Sequence, residues 1–211
     1  MLARVRNQFI GRRTQLANSI LGYAAEFGFT APKGLSRLQQ FLIDIQADAT
    51  VPDLAKELVD TLAAELARVD EQIAKLDKKL MQLHRSNEMG RRLAAIPGVG
   101  PFGATLLSIE VVDARGFKSG RNFAAWLGLT SKNHSTAGKN RLGVITLAGD
   151  GMLRTVLVAG ATAVIADMRR RESRFWPWLK DIIARKPPKL VAIALANKLA
   201  RIVRLRSLAR S

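Results

Sequence analysis

The chain has 211 residues, enough for one domain or for a small domain with an extended helical element. Apolar residues make up 48% of it, so a sizeable core can form, and the absence of cysteine excludes a disulfide framework and thiolate zinc sites. Thirty-four Lys and Arg against 17 Asp and Glu leave a net charge of +17, which favours a polyanionic partner, nucleic acid or an anionic membrane.

The first segment reads as an amphipathic helix with Val5, Phe9, Leu16, Ile20, Tyr23 and Phe27 near one face. Its basic start, MLARVRNQF, leads to no apolar core with a small-residue cleavage site, so it is not a secretory signal. Gly28 ends the helix and Thr30 to Gly34 form a turn-rich connector. Val51-Pro52-Asp53 then opens a second helix. In it Leu62, Leu66, Val69, Ile73, Leu76, Leu80 and Leu83 alternate in steps of four and three, a heptad seam. Two structures satisfy that seam: an antiparallel hairpin that packs internally, or a coiled coil over residues 54–83 that makes the chain a homodimer or higher homo-oligomer.

Beyond Gly90 the texture changes to shorter helices broken by glycine. Arg91 to Ala95 lead into IPGVGP, and Ala104 to Val112 follow as an apolar helix. Ser119 suits the N-cap of the next helix, SGRNFAAWLGL, and Gly128 its C-terminal stop. A polar loop runs from Thr130 to Gly143, with a short extended piece expected around Leu142 to Thr146. Leu153 to Met168 form an apolar helix, and after Pro187-Pro188 a basic amphipathic helix spans Lys189 to Arg210. The expected fold is all-α: a linker helix and coiled-coil segment over 1–90, a compact helical domain over 91–168 and a basic helical tail over 169–211. The tail region is the most charged, with a net +11 over 151–211.

No membrane-spanning segment is expected. The longest uncharged stretch, Leu93 to Ile109, carries Pro97, Gly98, Gly100, Pro101 and Gly103, and the apolar run Thr155 to Ala166 is only twelve residues long. The chain therefore reads as a soluble intracellular protein.

Four clusters carry candidate chemistry. IPGVGP between two helices resembles a helix-hairpin-helix, whose glycines, Gly98 and Gly100, let backbone N–H groups approach a phosphate; the alternative is a tight interhelical turn. The loop TSKNHSTAGKNRLG brings Lys132, His134, Ser135, Thr136, Lys139 and Arg141 together in sequence. That composition suits phosphate recognition, a serine nucleophile or a solvated basic loop, and does not choose among them. Phe175, Trp176 and Trp178 beside Arg174 and Lys180 serve either to stack on bases or to close a core, the second being the better reading, as it is for Phe123 and Trp126. Glu110 and Asp113 lie one turn apart with no third carboxylate nearby, so no metal site is assigned.

From Ala94 to Val164 five blocks occur in a specific order: IPGVG, FKSGR, AAWLGL, HSTxGKxRLG and GDxxLR. The stretch resembles the C-terminal Tnp domain of the IS110 (IS116/IS902) family of bacterial insertion-sequence transposases. Residues 1–28 resemble the part that precedes this family's coiled-coil insertion, which the heptad seam would supply. The resemblance implies DNA strand exchange in transposition, with a serine nucleophile in the Tnp domain and guidance by a structured non-coding RNA. The matching serine is Ser135, with Thr136 second, and Lys118, Arg121, Lys139, Arg141 and Arg154 fall at matching basic positions. Family members pair this domain with an acidic, RuvC-like DEDD domain that binds divalent metal. That domain is expected to be missing here, so no cofactor is assigned to this chain and cleavage is not expected of it alone. Ala137 stands in place of a glycine, and Val144 and Leu147 in place of basic residues. DNA, and a guide RNA, are the expected partners, in the bacterial cytoplasm at the nucleoid. The competing readings are a non-catalytic DNA- or RNA-binding dimerisation module derived from such a transposase, and a helical scaffold whose basicity only confers solubility.

Overall fold

The computed structural model describes residues 1–29, 37–111, 113–133, 142–170 and 177–209. Among them the fold is all-α, with nine helices and one two-stranded hairpin. The chain divides into two compact units, Met1–Leu80 and Met81–Ser211.

The first unit contains α1 (Leu2–Glu26), α2 (Leu38–Ala47) and most of α3 (Asp53–Ser86). Helix α1 ends in a Schellman motif: Gly28 takes φ +84°, its N–H donates to the Ala25 carbonyl, and the Phe29 N–H donates to the Ala24 carbonyl. Arg6 pairs with Asp77, and Arg13 with Asp70 at 3.4 Å. Each seven-residue step forward in α1 is thus a seven-residue step back in α3, so the helices run antiparallel. Along α3, Val59, Leu66, Val69, Ile73 and Leu80 are buried, while Leu83 is 43% exposed. Ala17, Ile20 and Ala24 of α1 share a core with Val59 and Leu66 and with Leu38, Phe41 and Ile45 of α2. The seam is therefore filled from within the chain. Of the two structures the heptads allow, the internal hairpin forms, and Leu66 and Val69 are not available to a second copy.

The second unit contains α4 (Glu88–Ala94), α5 (Pro101–Glu110), a 3-10 turn (Ala114–Gly116), α6 (Gly120–Trp126), β1 (Ser131–Asn133), β2 (Leu142–Ile145), α7 (Gly151–Arg170), α8 (Pro177–Arg185) and α9 (Pro188–Leu208). Its central element is α9, whose Val191, Leu195, Ala196, Leu199, Ala200 and Val203 are all buried. Helices α4, α6, α7 and α8 pack on it. The last helix is thus a core spine with a basic outer face, not an appendage. His84, in the last turn of α3, is buried and lies 3.1 Å from the buried Thr105 hydroxyl of α5. Among the described residues α7 is the one helix long and apolar enough to cross a bilayer, with a mean hydropathy of 1.4 over Gly151–Met168. It carries Arg154 and Asp167 in that span, and Leu153, Leu157, Ala161 and Ile165 form a stripe buried in the unit.

Candidate nucleic-acid interface

The IPGVGP segment forms the turn between α4 and α5, and the two helices pack as a hairpin. Asn87 caps α4 by accepting from the Gly90 N–H at 2.7 Å. The two glycines of the turn have different surroundings. Gly98 sits at φ +85°, where a Cβ would stand 2.9 Å from Val164 Cγ2 and 3.0 Å from the Gly160 carbonyl oxygen. It is spent on packing against α7. Gly100 precedes Pro101, the first residue of α5, and a Cβ there would meet nothing within 4 Å. The open side of the turn is a groove of about 580 Å³ walled by Pro97, Gly98, Gly100, Ala159, Gly160 and Ala163. These small residues leave the backbone at the N-terminus of α5 accessible, where the helix dipole favours an anion.

Helix α6 is capped at both ends as its sequence requires. Ser119 Oγ accepts from the Asn122 N–H at 3.2 Å, and Gly128, at φ +71°, closes a Schellman motif with the Leu129 N–H donating to the Ala124 carbonyl. The AAWLGL and GDxxLR blocks then dock on each other, backbone against backbone. A Cβ on Gly128 would stand 2.3 Å from the Ala148 carbonyl oxygen, and one on Gly149 would stand 1.9 Å from that of Trp126. Arg154 clamps the joint: its Nη1 donates to the Leu127 carbonyl at 3.0 Å and to the Ala148 carbonyl at 2.8 Å. Asp150 caps α7 by accepting from the Met152 and Leu153 N–H groups. Leu147 completes the turn at φ +57°, a conformation that costs a β-carbon residue strain. Arg154 thus braces the scaffold through Nη1, a role that the sequence reading did not give it.

This joint roots the β1–β2 hairpin. Thr146 N–H donates to the Thr130 carbonyl, and the strands pair antiparallel with Ser131 opposite Ile145 and Asn133 opposite Leu142. The chain leaves β1 at Asn133 and re-enters β2 at Leu142, and the residues between include His134, Ser135, Thr136, Lys139 and Arg141. These five candidates, with Ala137, lie outside the described residues. Lys118, Arg121 and Lys132 are described and exposed: Lys118 before α6, Arg121 in its first turn, Lys132 on β1.

The aromatic residues divide. Phe123 is fully buried and packs edge-on to Phe117 at 5.0 Å, whereas Trp126, expected in the core, is 40% exposed and stacks on Phe123 at 5.8 Å. Trp178 is half-buried with Lys198 Nζ 4.1 Å above its ring, and Arg174, Phe175 and Trp176 lie outside the described residues. Glu110 closes α5, and Asp113 accepts from the Arg115 N–H at 2.8 Å in the 3-10 turn. No three His, Asp or Glu side chains converge among the described residues, so the donor set for a divalent metal is not assembled there.

Residues 90–176, which contain the helical hairpin, the glycine joint and the β-hairpin, match the family described as Transposase IS116/IS110/IS902. The chain belongs to that family of transposases. It is 55% identical, over 96% of its length, to a protein of Sinorhizobium fredii named as transposase y4pF/y4sB, of which it covers 52%. It is 33% identical to the transposase for insertion sequence element IS1111A of Coxiella burnetii and 31% identical to that for IS1328 of Yersinia enterocolitica, covering 56% and 60% of them. The chain thus spans roughly half of the curated relatives it matches.

Proposed function

We propose that this chain is the nucleic-acid-binding C-terminal portion of an insertion-sequence transposase and contributes the serine nucleophile, Ser135, to DNA strand exchange guided by a structured RNA. The observation that carries the reading is the joint of Gly128, Gly149 and Arg154. Two backbone-to-backbone contacts and a clamped guanidinium fix the base of the hairpin from which the Ser135 segment departs. Holding a nucleophile from a rigid base is what a strand-transfer site needs, because misplacement by about 1 Å costs on the order of 100-fold in rate.

Exposed Lys118, Arg121 and Lys132 would engage backbone phosphates, together with Lys139 and Arg141, and the amides at the start of α5 would take a further phosphate over Gly100. A Ser135 alkoxide attacking phosphorus needs such cations to balance the charge that builds on the phosphoryl oxygens. Activation of the hydroxyl falls to a separate acidic domain, and in the cell the assembly works at the nucleoid. Because α1 fills the seam, self-association falls to the exposed apolar residues of the first unit, Tyr23, Phe27, Leu54 and Leu58.

The test is a nicking assay on supercoiled DNA carrying the element's ends, with this chain alone and with a family acidic domain supplied in trans. Binding without nicking for the chain alone, and nicking restored by the acidic domain, is the expected pair of results. Nicking by the chain alone would overturn the division of labour.

A further inference from the structure

We propose that Trp126 and Leu147 form a stacking platform for an unpaired base of the DNA strand held at the root of the β-hairpin. The inference rests on the nucleic-acid reading above and adds to it a contact with a base, where the cations contact phosphates.

Helix α6 and its C-cap have two faces. Phe123, Ala124 and Leu127 are buried, whereas Asn122, Ala125 and Trp126 are exposed at helical spacing. The Trp126 ring is exposed but not loose. It stacks on Phe123 at an interplanar angle of 20° and tilts against Phe117 at 5.3 Å. The backbone of the same residue is fixed by the close approach of Gly149 to its carbonyl oxygen. An indole supported by two rings and open over 40% of its surface can take a base with little loss of side-chain freedom.

Leu147 lies in the turn that docks on Trp126. It is 59% exposed and sits at φ +57°. A β-carbon residue is strained in that region, and a leucine left at the surface recovers little of the cost by burial. Glycine would hold the same turn without strain. The Leu147 side chain thus contributes little to the fold. With Trp126 and the exposed Val144 of β2 it makes an apolar surface at the root of the hairpin, suited to the face and sugar of one nucleoside.

Charge selects the partner. From 114 to 149 the sequence carries Arg115, Lys118, Arg121, Lys132, Lys139 and Arg141 and no Asp or Glu. A polynucleotide matches both features, since its phosphates meet the cations while a base covers the ring. A base inside a duplex has both faces occupied by its neighbours, so the platform takes one that has left its stack. A strand undergoing exchange passes through that state.

The test uses Trp176→Phe with Trp178→Phe, which leaves Trp126 as the single tryptophan of the chain. Its emission is followed during titration with a short oligothymidylate, the matching duplex, an oligouridylate of equal length and polyphosphate. Saturable quenching by oligothymidylate, and little by the duplex or polyphosphate, is expected. Trp126→Ala should weaken oligothymidylate binding about tenfold without changing the salt slope, because an indole releases no counterion. Trp126→Leu, which keeps apolar bulk over Phe123 should the alanine variant not fold, should bind as weakly. Leu147→Gly should melt no lower than wild type and yet bind about threefold more weakly, a pairing that a structural role would not produce. Equal quenching by the duplex or by polyphosphate, or full affinity in Trp126→Leu, would overturn stacking on an unpaired base. A stronger response to oligouridylate would overturn the assignment to DNA. Steep salt-dependent DNA binding with Trp126 emission unmoved would overturn the platform and leave the function intact. Wild-type chain with no salt-dependent binding would overturn the function itself.

Discussion

Gly98 and Gly160 meet backbone to backbone: a Cβ on Gly160 would stand 1.7 Å from the Gly98 carbonyl oxygen. The turn between α4 and α5 is thereby seated on the middle of α7, and the seat exists only because neither residue has a side chain. Gly160→Ala should be among the most damaging single changes in the second unit, since it displaces backbone and not a side-chain tip. A loss of about 3 kcal/mol or more is expected, a drop in Tm of roughly 6–12 °C. Gly100→Ala, in open space and at an ordinary φ, should cost under about 1 kcal/mol. Thermal melts of the two variants check the contrast.

Arg154 and Arg121 are both basic positions of the family pattern, yet they are expected to respond differently. Arg154→Gln removes a guanidinium that satisfies two carbonyls and should destabilise the unit by about 2 kcal/mol, while the salt slope of DNA binding stays the same. Arg121→Gln, Lys118→Gln and Lys132→Gln should leave the melt unchanged, and each should lower the slope by about 0.9. Binding titrations between about 50 and 200 mM salt distinguish the two behaviours.

Leu66→Lys tests the first unit. With the seam filled from within the chain, the substitution places an ammonium in the α1–α2–α3 core and should unfold that unit, at a cost of about 3–5 kcal/mol. Circular dichroism should record a loss of helix. Leu58→Glu, at a site already 58% exposed, should leave helicity intact and lower the sedimenting mass of any oligomer.

How much of this was legible in the sequence depended on which residues decide each feature. Ser119 and Gly128 bound α6 and Gly28 ends α1 because caps are local, and the short strand at Leu142 was readable from its neighbours. Helix α2 escaped notice although Leu38, Phe41 and Ile45 keep helical spacing, since nothing in a ten-residue stretch announces the core it will join. The buried face of α1 differs from the one its bulky residues mark: Tyr23 and Phe27 share the apolar face by spacing, yet Ala17 and Ala24 are buried and the two aromatics are 53% and 41% exposed. The basic stretch over 189–210 read as a tail because its charges dominate the composition. Its apolar residues at 191, 195, 199 and 203, one per turn, are what make it the spine. The bracing contacts of Arg154 are not readable from sequence, because its two carbonyl partners are chosen by tertiary contact. Family membership was legible because five blocks in fixed order carry more information than any one of them.

The most direct measurement of the central claim is covalent trapping. Incubated with the family acidic domain and element-end DNA, the chain should yield a protein–DNA adduct that survives denaturation, and peptide mass spectrometry should place the phosphoryl linkage on Ser135. Ser135→Ala should abolish the adduct while changing binding by no more than the 0.5–1.5 kcal/mol or so that one neutral hydroxyl contributes. An adduct that persists in Ser135→Ala, or one mapped to Thr136, would contradict the assignment of the nucleophile.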